Sequence, residues 1–515
     1  LSLLVTFLNV PALPATEALL PLPTEDPFAE GEPHLPAWCE AGLICIVLLA
    51  AFYLRLANLE YVPGIFGDEG ERGVSARMLL EGYPATLFDS GWYGVPTFYF
   101  YCVAWMLRIF GDSMVGARML SALSGVVAVW LAYRIGRALW SARTGLLAAA
   151  MLAVSPLALQ FSRQATESTP TGTLWAGGFL FFVRALRGRR WGDWVCAGVL
   201  YGLSLYFYAA GKLVLGLLPM LGLYCVVRWR LDFFRRYALG FTLMCAAFAL
   251  TFLPYALMSA HDGWQNFAGR AQETSILSAH NQADTFARHA IAYDPGWAQQ
   301  SLLRNVLTHP VSWAQMLFGQ LRFTAEVLYW HGDPTAFFQI RQHGGSMLAP
   351  LPAALTILGL AYAAWNIWDP RFGLLCVWFW CGMLGPALTI NTPSVQRLVC
   401  AWPAVMLFPA VVLDRVWAAA WPVSRSLARR WAAVPLLALL VYFGIDCYEE
   451  YFIHYTSLCP YCTETVQARY AQALGQAYKV YQLGVGDGDI WFGYGSSRFV
   501  AKGVEGMEVA ALADT

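Results

Sequence analysis

Long apolar runs broken by short arginine clusters set the rhythm of this sequence. A bilayer-spanning helix needs about 20 mostly apolar residues. Eleven stretches approach that pattern: 38–57, 114–134, 145–161, 171–187, 192–210, 213–229, 238–258, 348–368, 372–390, 398–417 and 432–448. They predict an all-α polytopic membrane protein. The arginines orient it, because short cytoplasmic loops collect positive charge. Arg134, Arg137 and Arg143 form one cluster, and Arg184, Arg187, Arg189 and Arg190 a second. Arg228, Arg230, Arg235 and Arg236 form a third, and Arg425, Arg429 and Arg430 a fourth. Counting crossings from these clusters places "GDEGERG" (67–73), "SRQATES" (162–168), the long segment 259–347 and "NTPSVQR" (391–397) outside. The apolar stretch 92–110 would break this parity if it crossed. It is therefore read as an outer juxtamembrane or half-inserted helix, within a first outer loop spanning 58–113.

The ends differ from the middle. Residues 1–37 form a loose tail, rich in proline and acid over 11–36. The membrane region runs from 38 to 448. Beyond it, "KVYQLGVGDGDIWFGYGSSRFVAKG" alternates apolar and polar residues between glycine turns, a strand pattern. Residues 449–515 are expected to form a small extracytoplasmic α/β domain, cut short at Thr515. The first residue is not Met, so the chain is expected to be processed or incomplete at that end too.

Composition agrees with the membrane reading. Charged residues make up 13% and hydrophobic ones 58%, against roughly 25% charged in an average soluble protein. The mean hydropathy is +0.49. The formal net charge of zero gives no electrostatic case for nucleic acid. Most of the 12 cysteines lie in apolar runs and read as small core residues. Cys459 and Cys462, in "CPYC", face an oxidising compartment on this topology, which favours a local disulfide or a small metal site.

The acidic stretch has two readings. Asp68 followed by Glu71 is a capping-box pattern, opening a helix that ends near Gly82 with Val74, Met78 and Leu79 on its apolar side. On that reading the carboxylates only start an interfacial helix, and for Glu71 it is the preferred one. Asp68 and Glu69 allow more, since a carboxylate at the membrane border can take a proton from a hydroxyl and make it a nucleophile. Glu167, on a separate outer loop, is either a solvated or capping acid or a partner that converges with them on a shared acceptor or cation.

Here the residues carry a resemblance. An outer "GDEG" after the first helix resembles the first-loop acidic motif of the GT-C superfamily of membrane glycosyltransferases. The similarity is strongest to the protein O-mannosyltransferase-like glycosyltransferase family 39 and its aminoarabinose-transferase relatives. "LLAAAMLAVSPLALQFSRQATES" resembles the helix leading into a second outer acid, with Glu167 where relatives often have Asp. "GLSLYFYAAGKLVLGLLP" and "SVQRLVCAWPAVMLFPA" follow in the family's order, and the similarity covers about residues 40–420.

The resemblance implies an inverting glycosyltransferase. It would move a sugar from a polyprenyl-phosphate donor to an acceptor hydroxyl or other nucleophile at the extracytoplasmic face. The acceptor would be a protein, lipid or glycan, and the setting a bacterial plasma membrane. Asp68 is then the base, with Glu69 as its alternative and Glu167 the second acid. Lys212 and Arg397 sit at outer helix ends, where a lipid phosphate lies, and Tyr208, one helical turn from Lys212, is expected to donate a hydrogen bond to the same phosphate. Snorkelling or topology anchoring is the plain alternative for both cations. His331 and Asp333, in "EVLYWHGDPTAFF", are candidates for a divalent metal ion or the acceptor, although their spacing is no metal signature and no cofactor is otherwise implied. A membrane transporter, a lipid-linked glycan polymerase or ligase, and a structural membrane protein are the competing classes. Against transport, the charged residues lie at helix ends and not at midplane.

Overall fold

The computed structural model describes residues 36–65, 67–188, 190–333, 345–420, 428–458, 462–483 and 495–509. The tail 1–35 and Cys459 of "CPYC" lie outside the described residues. In chain order the helices are α1 Ala37–Leu56, α2 Gly67–Leu80, α3 Thr97–Phe110, α4 Met114–Leu139, α5 Ala142–Ala153, α6 Pro156–Ser162, α7 Ser168–Gly188, α8 Trp191–Leu203, α9 Val214–Trp229, α10 Leu231–Arg236 and α11 Ala238–His261. The outer segment adds α12 Gln265–Thr274, α13 Ala279–Arg288, α14 Leu302–Thr308 and α15 Pro310–Glu326. Then follow α16 Pro350–Trp365, α17 Pro370–Ala387, α18 Trp402–Ala420, α19 Ala428–Tyr448, α20 Cys462–Leu474 and α21 Gly495–Val500.

All eleven predicted runs fall on helices, but not all as single rods. Among the described residues five helices are long and apolar enough to cross a membrane, or six if the bent pair α5 and α6 is one span. That pair is bent by 63°. Pro156 explains the break: it has no N–H to donate and holds Ser155 in an extended conformation. The run 192–210 also breaks, into α8 and a pair of tight turns, with Tyr208 extended between them. α3 has 14 residues; at 1.5 Å per residue it is about 21 Å long, short of the roughly 30 Å hydrocarbon core.

Helices approach closely where side chains are small. The Cα of Gly145 would lie 2.7 Å from a Cβ built on Gly136, so α4 and α5 touch backbone to backbone. Close approach through small residues is how helices gain packing energy in lipid. Glu40 of α1 binds Tyr133 and Arg137 at the far end of α4, so these helices run antiparallel. At the opposite end the fully buried Arg163 donates to the carbonyls of Leu54, Ala57 and Val62 at 2.6, 2.7 and 2.9 Å. One guanidinium thus satisfies carbonyls at the end of α1 and in the turn that follows it.

The segment beyond 448 is tied to that loop. Thr465 Oγ1 accepts from the Ile65 N–H at 2.7 Å, and Arg469 pairs with Glu60 at 2.7 Å. β1 Val480–Leu483 and β2 Gly506–Val509 form a parallel pair. The strand pattern over 479–503 is only partly realised. Val480–Leu483 is extended, but Gly495–Val500 is the helix α21, packed on α2. Ser496, Ser497, Phe499 and Val500 are all buried there, so docking has overridden local strand preference.

Candidate active site

α2 carries the acidic stretch. It starts at Gly67, so Asp68 and Glu69 lie inside its first turn, and Asp68 is not the cap that the capping-box reading required. Carboxylates in a first turn suit the positive end of the helix dipole. The three predicted acids then part company. Glu69 is fully buried and committed: Arg118 Nε and Nη2 donate to its two oxygens at 2.7 and 2.8 Å, and the Ala165 N–H donates at 2.7 Å. Arg118 also donates to the carbonyls of Leu59 and Gly64 at 2.8 and 3.2 Å. Glu69 therefore knits α2, α4 and the 163–167 loop together, which leaves it poorly suited to be the alternative base.

Glu167 is buried too, and Arg72 grips it through Nε at 2.7 Å and Nη2 at 3.1 Å. The same guanidinium places Nη1 3.9 Å from Asp68 Oδ2. So acids from two separate stretches of the chain do converge, on a cation that the sequence had shown only as part of the charged stretch. Burial pulls Arg72 down, but Glu167 and Asp68 outweigh it and hold the guanidinium above its usual range. Asp68 is the one of the three acids that water reaches, with 28% of its side chain exposed against 0% for Glu69 and 3% for Glu167.

Two donors here have no hydrogen-bond partner among the described residues: Arg72 Nη1 and the Tyr99 hydroxyl on α3, both buried. Burial first, and then Glu167, push the Tyr99 phenol well above its ordinary range, so it stays protonated. Tyr99 carried no sequence signal; it is one aromatic in an aromatic-rich stretch. Trp92 lies under Arg72, with the guanidinium carbon 5.7 Å from the ring centre.

The cationic candidates assemble beside this group. Tyr208, Lys212 and Arg397 line one cavity of about 210 Å³, walled by Ala271 and Thr274 of α12 and by Leu384 and Leu388. Tyr208 reaches it from extended backbone, not from a helical turn shared with Lys212. Lys212 donates to the Phe267 carbonyl, and Nζ sits 4.7 Å from the Phe267 ring centre. Arg397 Nη1 donates to the Ile390 carbonyl at 2.7 Å. Tyr208, which lines the cavity, also feels the charges of Arg397, Glu167 and Arg72.

His331 and Asp333 take other posts. His331 Nε2 lies 3.0 Å from Glu326 Oε2. Asp333 Oδ2 accepts from the Val395 N–H at 2.8 Å and so anchors the turn that carries Arg397. Among the described residues no group of three or more His, Cys, Asp and Glu side chains is placed to hold a metal ion. His331 and Asp333 thus make these other contacts, and no step of the proposed reaction runs through a metal.

Several known proteins are similar to this chain. Residues 94–256 match the family model described as dolichyl-phosphate-mannose-protein mannosyltransferase. That range holds Glu167, Tyr208 and Lys212 but neither Asp68 nor Arg397. A curated relative from Pseudomonas fluorescens, undecaprenyl phosphate-alpha-4-amino-4-deoxy-L-arabinose arabinosyl transferase 1, is 30% identical over 323 residues, covering 59% of this chain and 53% of its own length. The chain thus spans about half of that relative. Among solved structures, the Archaeoglobus fulgidus oligosaccharyltransferase tethered to an acceptor peptide superposes with a TM-score of 0.57 at 16% identity, covering 92% of this chain and 64% of that one. The same enzyme in complex with an inhibitory peptide and a dolichol-phosphate gives 0.54 at 15% identity, with coverages of 92% and 64%. At such identities the likeness is one of fold. The resemblance to the GT-C superfamily, in its mannosyltransferase-like and aminoarabinose-transferase branches, is borne out.

Proposed function

We propose, from this kinship with the GT-C membrane glycosyltransferases, that the chain moves a sugar from a polyprenyl-phosphate donor to an acceptor nucleophile at the extracytoplasmic membrane face. The observation that supports the reading is the cavity lined by Tyr208, Lys212 and Arg397, whose Tyr208 lies within electrostatic reach of the Arg72–Glu167 pair. The lipid phosphate occupies that cavity, where Lys212 and Arg397 hold its charge in a poorly hydrated setting, with Tyr208 donating to one of its oxygens. The sugar lies towards Arg72 and Tyr99, whose unpartnered donors suit hydroxyl or phosphate oxygens.

Asp68 takes the proton from the acceptor. The acceptor oxygen forms a bond to the anomeric carbon as the bond from that carbon to the phosphate oxygen breaks. Attack from the side opposite the leaving group inverts the centre, and polyprenyl phosphate departs as an anion. Arg72 holds Glu167 at 2.7 Å and stands farther from Asp68, at 3.9 Å, so the longer of its two ion pairs is the one to the base.

Donor binding tests the cavity. Arg397→Ala should weaken binding of a polyprenyl-phosphate sugar by about 10- to 100-fold, the worth of a hydrogen bond to a charged group. Arg236→Ala removes a cytoplasmic cation in an exposed pair with Asp232 and should leave binding unchanged. Equal effects of the two substitutions would remove the phosphate from this cavity.

A further inference from the structure

The acid helix is gripped from one side by a segment more than 400 residues away. A Cβ built on Gly70 would fall inside the backbone of Gly495, and one on Gly73 would come within 2.6 Å of the Phe499 ring. α2 therefore presents a glycine-lined groove, one turn wide, directly behind Asp68 and Arg72. α21 fills it: Gly495, Ser496, Ser497, Phe499 and Val500 are buried. Arg77 closes the far end. It donates to the carbonyls of Arg498 and Phe499 at 3.4 and 2.7 Å, stands 4.4 Å over the Phe499 ring, and is itself held by Asp112 at 2.9 Å.

Among the described residues a charged pair joins the two helices side chain to side chain. Arg498 Nη1 lies 3.2 Å from both oxygens of Glu71. We propose that α21 is the positioning element of the catalytic turn, its backbone seated on Gly70 and its Arg498 set against Glu71, so that Asp68 and Arg72 are held in register with Glu167. This rests on the assignment of Asp68 as the base.

The physical argument concerns what α2 would do alone. Its first two turns carry Gly67, Gly70 and Gly73, and each glycine weakens a helix relative to Ala. They also carry three carboxylates. A free helix of this composition would fray, and the turn that frays holds the base. Glu71 adds a burden, because it is removed from water and sits near Asp68. Burial first, and then Asp68, raise its proton affinity, while Arg498 opposes the rise. The charged groups facing Glu71 are Arg498 on α21 and Asp68 on its own helix. Farther along α2, Arg77 is taken up by Asp112, and just beyond α21 Lys502 lies 3.3 and 3.4 Å from Glu81 and Asp112. Arg498 is thus the cation that lets Glu71 stay ionised with α21 in place.

The glycines follow from the same geometry. Gly70 and Gly73 need no unusual backbone angles here; they are small because α21 lies on them. Substitution at Arg498 and at Gly70 should therefore fail in the same way, by letting α21 lift.

The test uses the full-length protein in detergent or lipid. Arg498→Gln should lower kcat by about tenfold, within the loss expected for a small misplacement of a reacting group, with donor KM unchanged. Hydrogen exchange at the amides of 68–73 should speed up by a similar factor. Both defects should be largest at neutral and higher pH and shrink as acid protonates Glu71. The double variant Glu71→Gln with Arg498→Gln should recover most of the wild-type rate and protection, because it removes the stranded carboxylate. Gly70→Ala should show the exchange defect at every pH. Wild-type exchange over 68–73 in both Arg498→Gln and Gly70→Ala, or no recovery in the double variant, would overturn the proposal. The exchange readout needs no turnover, so loss of the Asp68 assignment would show separately, as full activity in Asp68→Asn with the exchange pattern intact.

Discussion

Asp68 and Glu69 are neighbours in sequence with opposite fates. The helix turns 100° between them, and that turn points one at water and the other into a bidentate arginine pair. Glu69→Gln should therefore destabilise the protein by roughly 3–5 kcal/mol, since it strands the buried Arg118 charge. Thermal unfolding in detergent would show it as a clear drop in Tm; an unchanged Tm would mean that Arg118 finds another partner. Sequence placed both acids outside and beside the bilayer, and it placed Glu167 with them. It did not separate Asp68 from Glu69, because Arg118 lies 49 residues on and carries no local signal. Arg72 was visible within the charged stretch, but its grip on Glu167 spans 95 residues and only the folded chain reveals it.

At the scale of elements, periodicity and proline were good guides and short polar segments were not. The helix from the acidic stretch ends at Leu80, beside the predicted stop at Gly82, whose φ of +89° suits glycine alone. The break at Ser155–Pro156 and the extended Tyr208 were missed, since both sit inside apolar runs that read as continuous. Gly495–Val500 read as strand and is helix because its neighbours across space decide its state. Glu71 gives this docking a pH signature. Its carboxyl binds a proton more readily in the folded chain than in the unfolded one. It thus favours the fold at acid pH, and that contribution is lost as pH rises through its raised value. Glu71→Gln should flatten the decline of stability just above the ordinary carboxylate range, measured by thermal melts across pH. A steeper decline in the variant would contradict the stated direction.

For the whole molecule, the arginine clusters and the acids must lie on opposite faces of the bilayer. The pairing of Glu40 with Tyr133 and Arg137 at one end of α1, and of Arg163 with the carbonyls at the other, is consistent with that arrangement. Single cysteines at positions 84 and 300, in the first outer loop and the long outer segment, should label from the extracytoplasmic side. Cytoplasmic labelling at either would put the acids and the lipid phosphate on the wrong side for this chemistry.

The most direct measurement is sugar transfer by Asp68→Asn. Asn keeps the size of the side chain, and at a partly exposed first-turn position it should cost little stability. It cannot accept a proton. With donor binding and Tm close to wild type, transfer should fall by about 10²- to 10⁴-fold, the usual worth of a general base. Full transfer by a well-folded Asp68→Asn protein would contradict the assignment and leave "GDEGERG" as the start of an interfacial helix.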